Sequence, residues 1–445
     1  MSNSRPFDSH KAQLGIIHHP TSTTTLSKCR LPDGPGVQSG GMNARELQAC
    51  ADRLEKFLIT MLASVGRSER RHHGSLYVQG LLLDGERKSI EPLAERVPGG
   101  NVQALQQFVG QSPWAWEPVR RLLAQHLEEE LLPAAGWIID DTGFPKQGKE
   151  SVGAARQYSG TLGKVGNCQV AVGVHLATEA ESMPLDWALY LPQAWTEDGE
   201  RCRKAGIPAN TPFRTKLELA LELIDHLLAW KLSRQPVLAD AGYGNNTEFR
   251  QGLVERQLHY VVGVESNTAV WEKPTQRVQP RRRAGRGRPR RPYYRGRPTA
   301  LRDRAVALPP EAWRMVTWRQ GTQGPQRGRF AACRVQPAHG HVEDQPELEP
   351  VWLLIEWPPD TEAPTKYWFS NLPEEVSLRR LVRLAKLRWR VEQNYQQLKE
   401  ELGMDHYEGR GWHGWHHHVT LVCLAYAFLL LERQRLKKNS DSDFA

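Results

Sequence analysis

Cysteine is scarce and scattered. The 445-residue chain has six, Cys29, Cys50, Cys168, Cys202, Cys333 and Cys423, and none forms a Cys-x-x-Cys pair. That excludes a zinc-finger framework and a disulfide scaffold as the basis of the fold. Long apolar runs are missing too. The run VTLVCLAYAFLLL (419–431) falls short of the ~18–20 residues of a membrane span and reads as a buried helix. The first residues carry no basic-then-apolar leader, so a cytoplasmic protein with no membrane partner is the expectation. Acid is absent from one long tract, RRRAGRGRPRRPYYRGR (281–297), which holds nine arginines.

That tract accounts for the charge balance. Formal net charge is +9, so removing the nine arginines leaves a neutral remainder. The basicity sits in one Gly/Pro/Arg segment comprising Arg281, Arg282, Arg283, Arg286, Arg288, Arg290, Arg291, Arg295 and Arg297. Such a block repels itself unless a polyanion neutralises it, and double-stranded DNA is the partner it suits. With 39% hydrophobic and 24% charged residues, the rest is an ordinary globular chain. Its length calls for two or three domains.

The polar, Ser/Thr/His/Gly-rich residues 1–43 read as a disordered tail. Residues 44–132 have helical periodicity. NARELQACADRLEKFLITMLASV is one helix, and SPWAWEPVRRLLAQHLEEELL starts a second, with Ser112 as N-cap and Pro113 at the first helical position. From 133 to 266 the regime changes to β-β-β-α-β-α-β. GWIIDD, NCQVAVGVHLATE and MPLDWALYLP are strands, 213–232 is an amphipathic helix, QPVLADAGYG is a fourth strand, 246–258 a helix and HYVVGVES a fifth strand. Residues 267–370 hold further strand-like pieces around the arginine tract. Residues 371–435 carry a long helix from Ser377 to Gly403, a natural C-cap, and 436–445 read as a second tail.

Two strands end in acid. Trp137, Ile138 and Ile139 run into Asp140 and Asp141 followed by Thr-Gly-Phe-Pro, and VLA runs into Asp240 followed by Ala-Gly-Tyr-Gly. An Asx-turn that merely stops the strand explains either one alone. A third acid sits on the long helix. At about 100° per residue, Glu392 falls on the apolar stripe of Leu378, Leu381, Val382, Ala385 and Trp389, flanked by Arg388 and Lys399. A carboxylate on a packing face is costly unless paired or ligating. Its bland explanation is an i, i+4 ion pair with Arg388. Taken together, the acids form an all-oxygen donor set without His or Cys, which suits Mg²⁺ or Mn²⁺. Two such ions about 3.5–4 Å apart serve phosphodiester cleavage.

At these residues the chain resembles the Asp-Asp-Glu (DDE) transposases of bacterial insertion sequences, whose core is ribonuclease H-like. Arg388, Glu392 and Lys399 match the Tyr-x2-Arg-x3-Glu-x6-Lys third motif of one branch, while Ala385 stands where its tyrosine is expected. The resemblance implies an α/β, ribonuclease H-like mixed sheet with a β-rich insertion before the glutamate helix, and an N-terminal helical domain that binds DNA ends. It implies a bacterial, nucleoid-associated enzyme that uses two Mg²⁺, with Mn²⁺ able to substitute. That enzyme binds terminal inverted repeats and target DNA as a homodimer or higher synaptic complex. It implies Asp141, directly ahead of Thr142, as first metal ligand, with Asp240 and Glu392 completing the trio. If the backbone at Asp141 is extended, Asp140 points to the opposite face and is the alternative. Arg388 and Lys399 are expected at phosphates. For Lys146, Lys149 and Arg156, phosphate contact and plain surface loop both stay open. GWHGWHHH (411–418) reads as helix-start packing. Two rivals share these features: a silent DNA-binding relic or repressor, and a ribonuclease H-like nuclease without strand transfer.

Overall fold

The structure, a computed structural model, describes residues 43–272, 297–321, 324–338 and 349–442, with the short strand pairs 16–17/25–26 and 277–278/293–294. The rest of the proposed N-terminal tail lies outside the described residues, as do Arg281, Arg282, Arg283, Arg286, Arg288, Arg290, Arg291 and Arg295. Arg297 is described and exposed.

Five helices come first: α1 (Ala44–Met61), α2 (Ser68–Leu82), α3 (Ile90–Arg96), α4 (Val102–Gly110) and α5 (Trp116–Leu131). The start of α1 is set by Asn43, whose side chain accepts from the Arg45 and Glu46 amides while the Glu46 carboxylate accepts from the Asn43 amide. This reciprocal cap satisfies amides that the helix leaves open. The expected cap at Ser112 does not form, and α5 begins at Trp116 after Ala115. Trp114 is the reason. It is drawn into the core and lies 3.8 Å from the His417 ring, nearly parallel to it. The chain stays non-helical until that ring has been seated.

The strands are β1 (Gly136–Pro145), β2 (Ala155–Ser159), β3 (Lys164–Ala177), β4 (Ser182–Tyr190), β5 (Val237–Ala239) and β6 (Tyr260–Val264). Beyond them come β7 (Ala269–Trp271), β8 (Thr299–Ala300), β9 (Arg314–Gly321), β10 (Gly324–Pro337), β11 (Val351–Trp357) and β12 (Lys366–Ser370). Helices α6 (Lys216–Ala229) and α7 (Thr247–Glu255) make the crossovers β4–β5 and β5–β6. A parallel pair needs such a crossover, and β1, β5 and β6 are indeed parallel neighbours. The first half of the sheet therefore reads β4–β3–β1–β5–β6, with β3 antiparallel to both β1 and β4. This is the ribonuclease H-like order.

Every strand-like piece expected in 267–370 has its counterpart in β9 to β12. They do not form a separate body. β12 pairs antiparallel with β6, matching Phe369 to Val262, so the insertion extends the core sheet to twelve strands. β2 was not expected. Its half-exposed Ala-Arg-Gln-Tyr-Ser alternation pairs onto the start of β3.

The long C-terminal element is broken. Ser377 caps α8 (Leu378–Leu387), Arg388 is the joint, α9 (Trp389–Gln396) follows, and a π-turn spans Gln397–Glu401 before Gly403 at φ +66°. The last helix, α10 (Trp412–Ser442), is long and apolar enough over Trp412–Lys438 to match a membrane span by composition, yet its most apolar 18-residue stretch is 89% buried within the protein. It packs against α1, α2, α4, α5 and β4. It also continues through 436–442, where a structureless tail was expected. Its opening residues Trp415, His416, His417 and His418 are all buried, so GWHGWHHH is packing. One contiguous core runs from Cys50 of α1 to Leu430 of α10, joining the helical segment to the sheet. A buried polar link fastens it. Arg120 of α5 donates to Asp186 Oδ1 (2.9 Å) and Thr420 (2.8 Å), and Asp186 Oδ2 lies 2.9 Å from His226 Nδ1.

Candidate active site

Strand β1 is buried on both faces up to Asp140, so a carboxylate there is placed by the sheet and not by solvent. The parallel register pairs Trp137 with Val237 and Ile138 with Leu238. Continued by two residues, it brings Asp140 level with Asp240. Asp240 caps the short helix Ala241–Gly244, its Oδ1 accepting the Gly242 amide at 2.9 Å. This turn can approach β6 because residue 263 is glycine: a Cβ there would lie 2.9 Å from the Ala241 nitrogen.

Asp140 and Asp141 point to opposite faces, as extended backbone requires. Asp140 Oδ2 accepts from Arg388 at 3.1 Å, and the same guanidinium donates to Glu392 Oε1 at 3.2 Å. One arginine thus ties the strand acid to the helix acid. Asp141 is held by other groups: Lys216, the first residue of α6, donates to Oδ2 at 2.8 Å, and the Tyr243 hydroxyl to Oδ1 at 3.3 Å. The side of Asp140 therefore carries Arg388 and Glu392, whereas the sequence expectation had put Asp141 first.

Burial pushes the Asp140 carboxyl up to about 7. Arg388 pulls it down, while the negative charges of Asp240 and Asp141 push it further up. Three acids therefore feel one another at this strand edge. The same burial and the same three acids hold the Tyr243 and Tyr395 hydroxyls well above the ordinary tyrosine range. Tyr395 lies under the site, 5.3 Å from His175, a wholly buried imidazole that burial holds down at about 3 and hence neutral.

Glu392 departs from the helical-wheel expectation. Its side chain is 66% exposed. At the joint Arg388 keeps helical backbone angles, the turn tightens with the Val391 amide reaching the Arg388 carbonyl three residues back, and beyond it Val391, Tyr395 and Leu398 take the buried positions. Glu392 is left at the rim, facing the strand acids through Arg388. Lys399, in the π-turn, reaches the same strand: Nζ donates to the Gly143 carbonyl (2.8 Å) and to Thr161 (3.2 Å). Burial lowers this ammonium to about 8. Arg388 and Lys399 therefore both grip β1, one at Asp140 and the other at Gly143; the strand runs straight through to Pro145 and does not turn after the acids as the sequence suggested.

The remaining candidates divide. Lys146 donates to the Tyr407 carbonyl at 2.7 Å and burial lowers its pKa, so it is engaged within the protein. Lys149 and Arg156 are exposed. Lys216, Tyr243, Tyr395 and Thr161 were not singled out from sequence. Only Tyr243, inside Asp-Ala-Gly-Tyr-Gly, carried a local signal.

The donor set fits a hard divalent cation in kind: carboxylate oxygens at a sheet edge, with too much negative charge for their burial. Among the described residues no three acids, histidines or cysteines converge as a ready-made metal cluster. Arg388 lies between Asp140 and Glu392, and Lys216 sits on Asp141. The positions a cation would neutralise are neutralised by side chains.

A family profile described as DDE superfamily endonuclease matches residues 60–325, a span that includes both strand acids and Asp240 and stops before Glu392. A probable transposase for insertion sequence element IS701 from Microchaete diplosiphon is 34% identical over 205 residues, covering 45% of this chain and 50% of that protein. The match spans about half the length of that relative. With more than half of its length matched and a ribonuclease H-like sheet carrying the acids, the chain belongs to the DDE endonuclease superfamily.

Proposed function

We propose that this protein is an insertion-sequence transposase of the cut-and-paste kind. It binds the terminal inverted repeats of its element, cleaves the DNA ends by phosphodiester hydrolysis and joins the 3′-hydroxyls to target DNA. The observation that carries the reading is Arg388 joining Asp140 to Glu392, with Asp240 level with Asp140 on the adjacent parallel strand and raising its pKa. Asp140 is the preferred first ligand because its side chain shares the side of Arg388 and Glu392; Asp141 is the alternative. Two divalent ions held by these acids would activate the attacking water or 3′-hydroxyl and offset charge on the leaving oxygen.

The chain's own residues supply the rest. Arg388 holds Glu392 toward the strand acids until a cation replaces it, and is then free to meet a phosphate. Lys399 fixes the stretch of β1 after Asp141 through the Gly143 carbonyl. Buried Tyr395 and neutral His175 form an uncharged floor, so the acids repel only one another. Bringing two DNA ends together calls for a dimer or larger synaptic complex.

The test is to incubate the purified protein with its element's end DNA and Mg²⁺, map the nicks, and then offer a pre-cut end for joining. Glu392→Gln should abolish both steps and leave DNA binding intact. Nicking without joining of the pre-cut end would reduce the reading to a nuclease. DNA binding without either step would reduce it to a silent relic.

A further inference from the structure

A cavity of about 300 Å³ opens between strand β9 of the insertion and helix α8, on the way into α9. Its wall holds five cationic side chains, Arg319, Arg379, Arg380, Arg383 and Lys386, against one acid, Glu179. Two of the five are already neutralised: Arg383 pairs with Glu179, and Lys386 lies 2.7 Å from Glu356. Arg319, Arg379 and Arg380 enter no ion pair among the described residues, and Arg379 and Arg380 are exposed. The buried Nε of Arg319 has no hydrogen-bond partner.

Two tryptophans, Trp318 and Trp389, also line the cavity, and their faces are taken. Arg319 lies 4.0 Å and Arg390 4.6 Å from the centre of Trp389, and Lys386 lies 4.7 Å from that of Trp318. Stacking of this kind fixes a guanidinium in its plane and turns its N–H edge outward. A base would have to displace a cation to stack here, whereas a phosphate would meet preset donors. Trp389 lies one helical turn before Glu392, at i, i+3, so the cleft adjoins the acids.

We propose that this cleft is a backbone-binding site for double-stranded DNA. Arg319, Arg379 and Arg380 take phosphates of the duplex next to the reacting bond, and the site is separate from the arginine tract at 281–297. The inference rests on the DNA-cleaving reading above. The sheet explains why such a site can exist: β9 pairs with β10 of the extended core sheet, and both strands pack on α8 to form the walls of the cleft.

The test is the salt dependence of affinity for a mixed-sequence duplex, measured for the wild type and for the double variant Arg379→Gln/Arg380→Gln. Both positions are exposed, so the fold should be unaffected, and melting temperature checks this. Arg203→Gln, exposed on the distant segment Gly199–Ala205, is the control. The slope of log affinity against log salt should become shallower by about 0.9 for each phosphate that is no longer neutralised, hence by about 2 for the double variant and not for the control. Adding Arg319→Gln should reduce it further. A wild-type slope in the double variant, with wild-type nicking intact, overturns the cleft alone. Failure of the wild type to bind or nick DNA at all overturns both this inference and the reading it rests on.

Discussion

Asp140→Asn is the substitution that bears most directly on the acidic strand edge. In the folded protein burial, with the charges of Asp240 and Asp141, takes this carboxyl from an ordinary 3.8 to about 7, even against the pull of Arg388. The folded state therefore holds a proton that the unfolded chain releases between about pH 4 and 7. Stability linked to this group is full below about pH 4 and is lost as pH rises through 7. At about 1.36 kcal/mol per pH unit, the loss amounts to about 4 kcal/mol. Unfolding entropy near 2.1 cal/mol/K per residue gives about 0.9 kcal/mol/K for a chain of 445 residues. The melting temperature of the wild type in EDTA should fall by about 4 °C across this window through Asp140 alone. Asparagine cannot ionise, so the variant should lack that component and melt above the wild type at pH 8.

Magnesium should close most of that gap. A ligand at about 100 times its dissociation constant stabilises the folded state by about 2.7 kcal/mol, so the wild type at pH 8 should gain about 3 °C. The variant should gain little. Thermal denaturation from pH 4 to 8, with EDTA and with Mg²⁺, measures both effects. Superimposable pH profiles for wild type and variant would refute the assignment of the buried charge. Equal stabilisation by Mg²⁺ would remove Asp140 from the metal site and return Asp141 to first place.

The other expectations are briefer. Asp240→Ala and Glu392→Ala should each abolish end cleavage with duplex affinity unchanged within twofold by mobility shift, because binding rests on Arg and Lys. Arg388→Ala should lower the melting temperature in EDTA, since it leaves a buried acid uncompensated, and Mg²⁺ should recover part of the loss. Mg²⁺ and Mn²⁺ should support nicking, Ca²⁺ should permit DNA assembly without nicking, and full activity in EDTA would sink the mechanism. Replacing the arginines of 281–297 by serine should weaken binding to end and scrambled duplexes alike, with a shallower salt slope. A selective loss on end DNA would mean that this tract reads sequence.

What the sequence disclosed, and what it withheld, divides along the distance between partners. The acids were visible because an apolar run that meets Asp is a local anomaly, although only Asp240 follows a strand end; Asp140 and Asp141 lie within β1, which continues to Pro145 where a turn was expected. The crossover helices were visible because their apolar period is local too. The union of the insertion with the core sheet was not visible. It depends on β12 meeting β6, two strands separated by about a hundred residues of which neither announces its neighbour. The 66% exposure of Glu392 was hidden for a subtler reason. A helical wheel assumes that one face stays covered from Ser377 to Gly403, and past Arg388 the covered face passes to Val391, Tyr395 and Leu398. Lys146 looked free because its partner is a backbone carbonyl at Tyr407, and a carbonyl leaves no trace in composition.

The same reasoning explains why the site needs its cations. Three aspartates gathered at one end of the parallel strands would resist folding if left alone, since Asp140 is buried and the charges of Asp141 and Asp240 act against its own. Two helices relieve that cost. Lys216 reaches Asp141 from the start of α6, 75 residues along the chain, and Arg388 reaches Asp140 from the joint between α8 and α9, 248 residues along. Neutralising the acids thus requires the helices to pack, and packing the helices delivers Glu392 to the acids. A metal ion held there, as proposed, would compete with these two side chains for the same carboxylate oxygens. Loading the site would therefore release a guanidinium and an ammonium where an incoming phosphodiester needs positive charge, so filling the site and preparing it for DNA are one exchange.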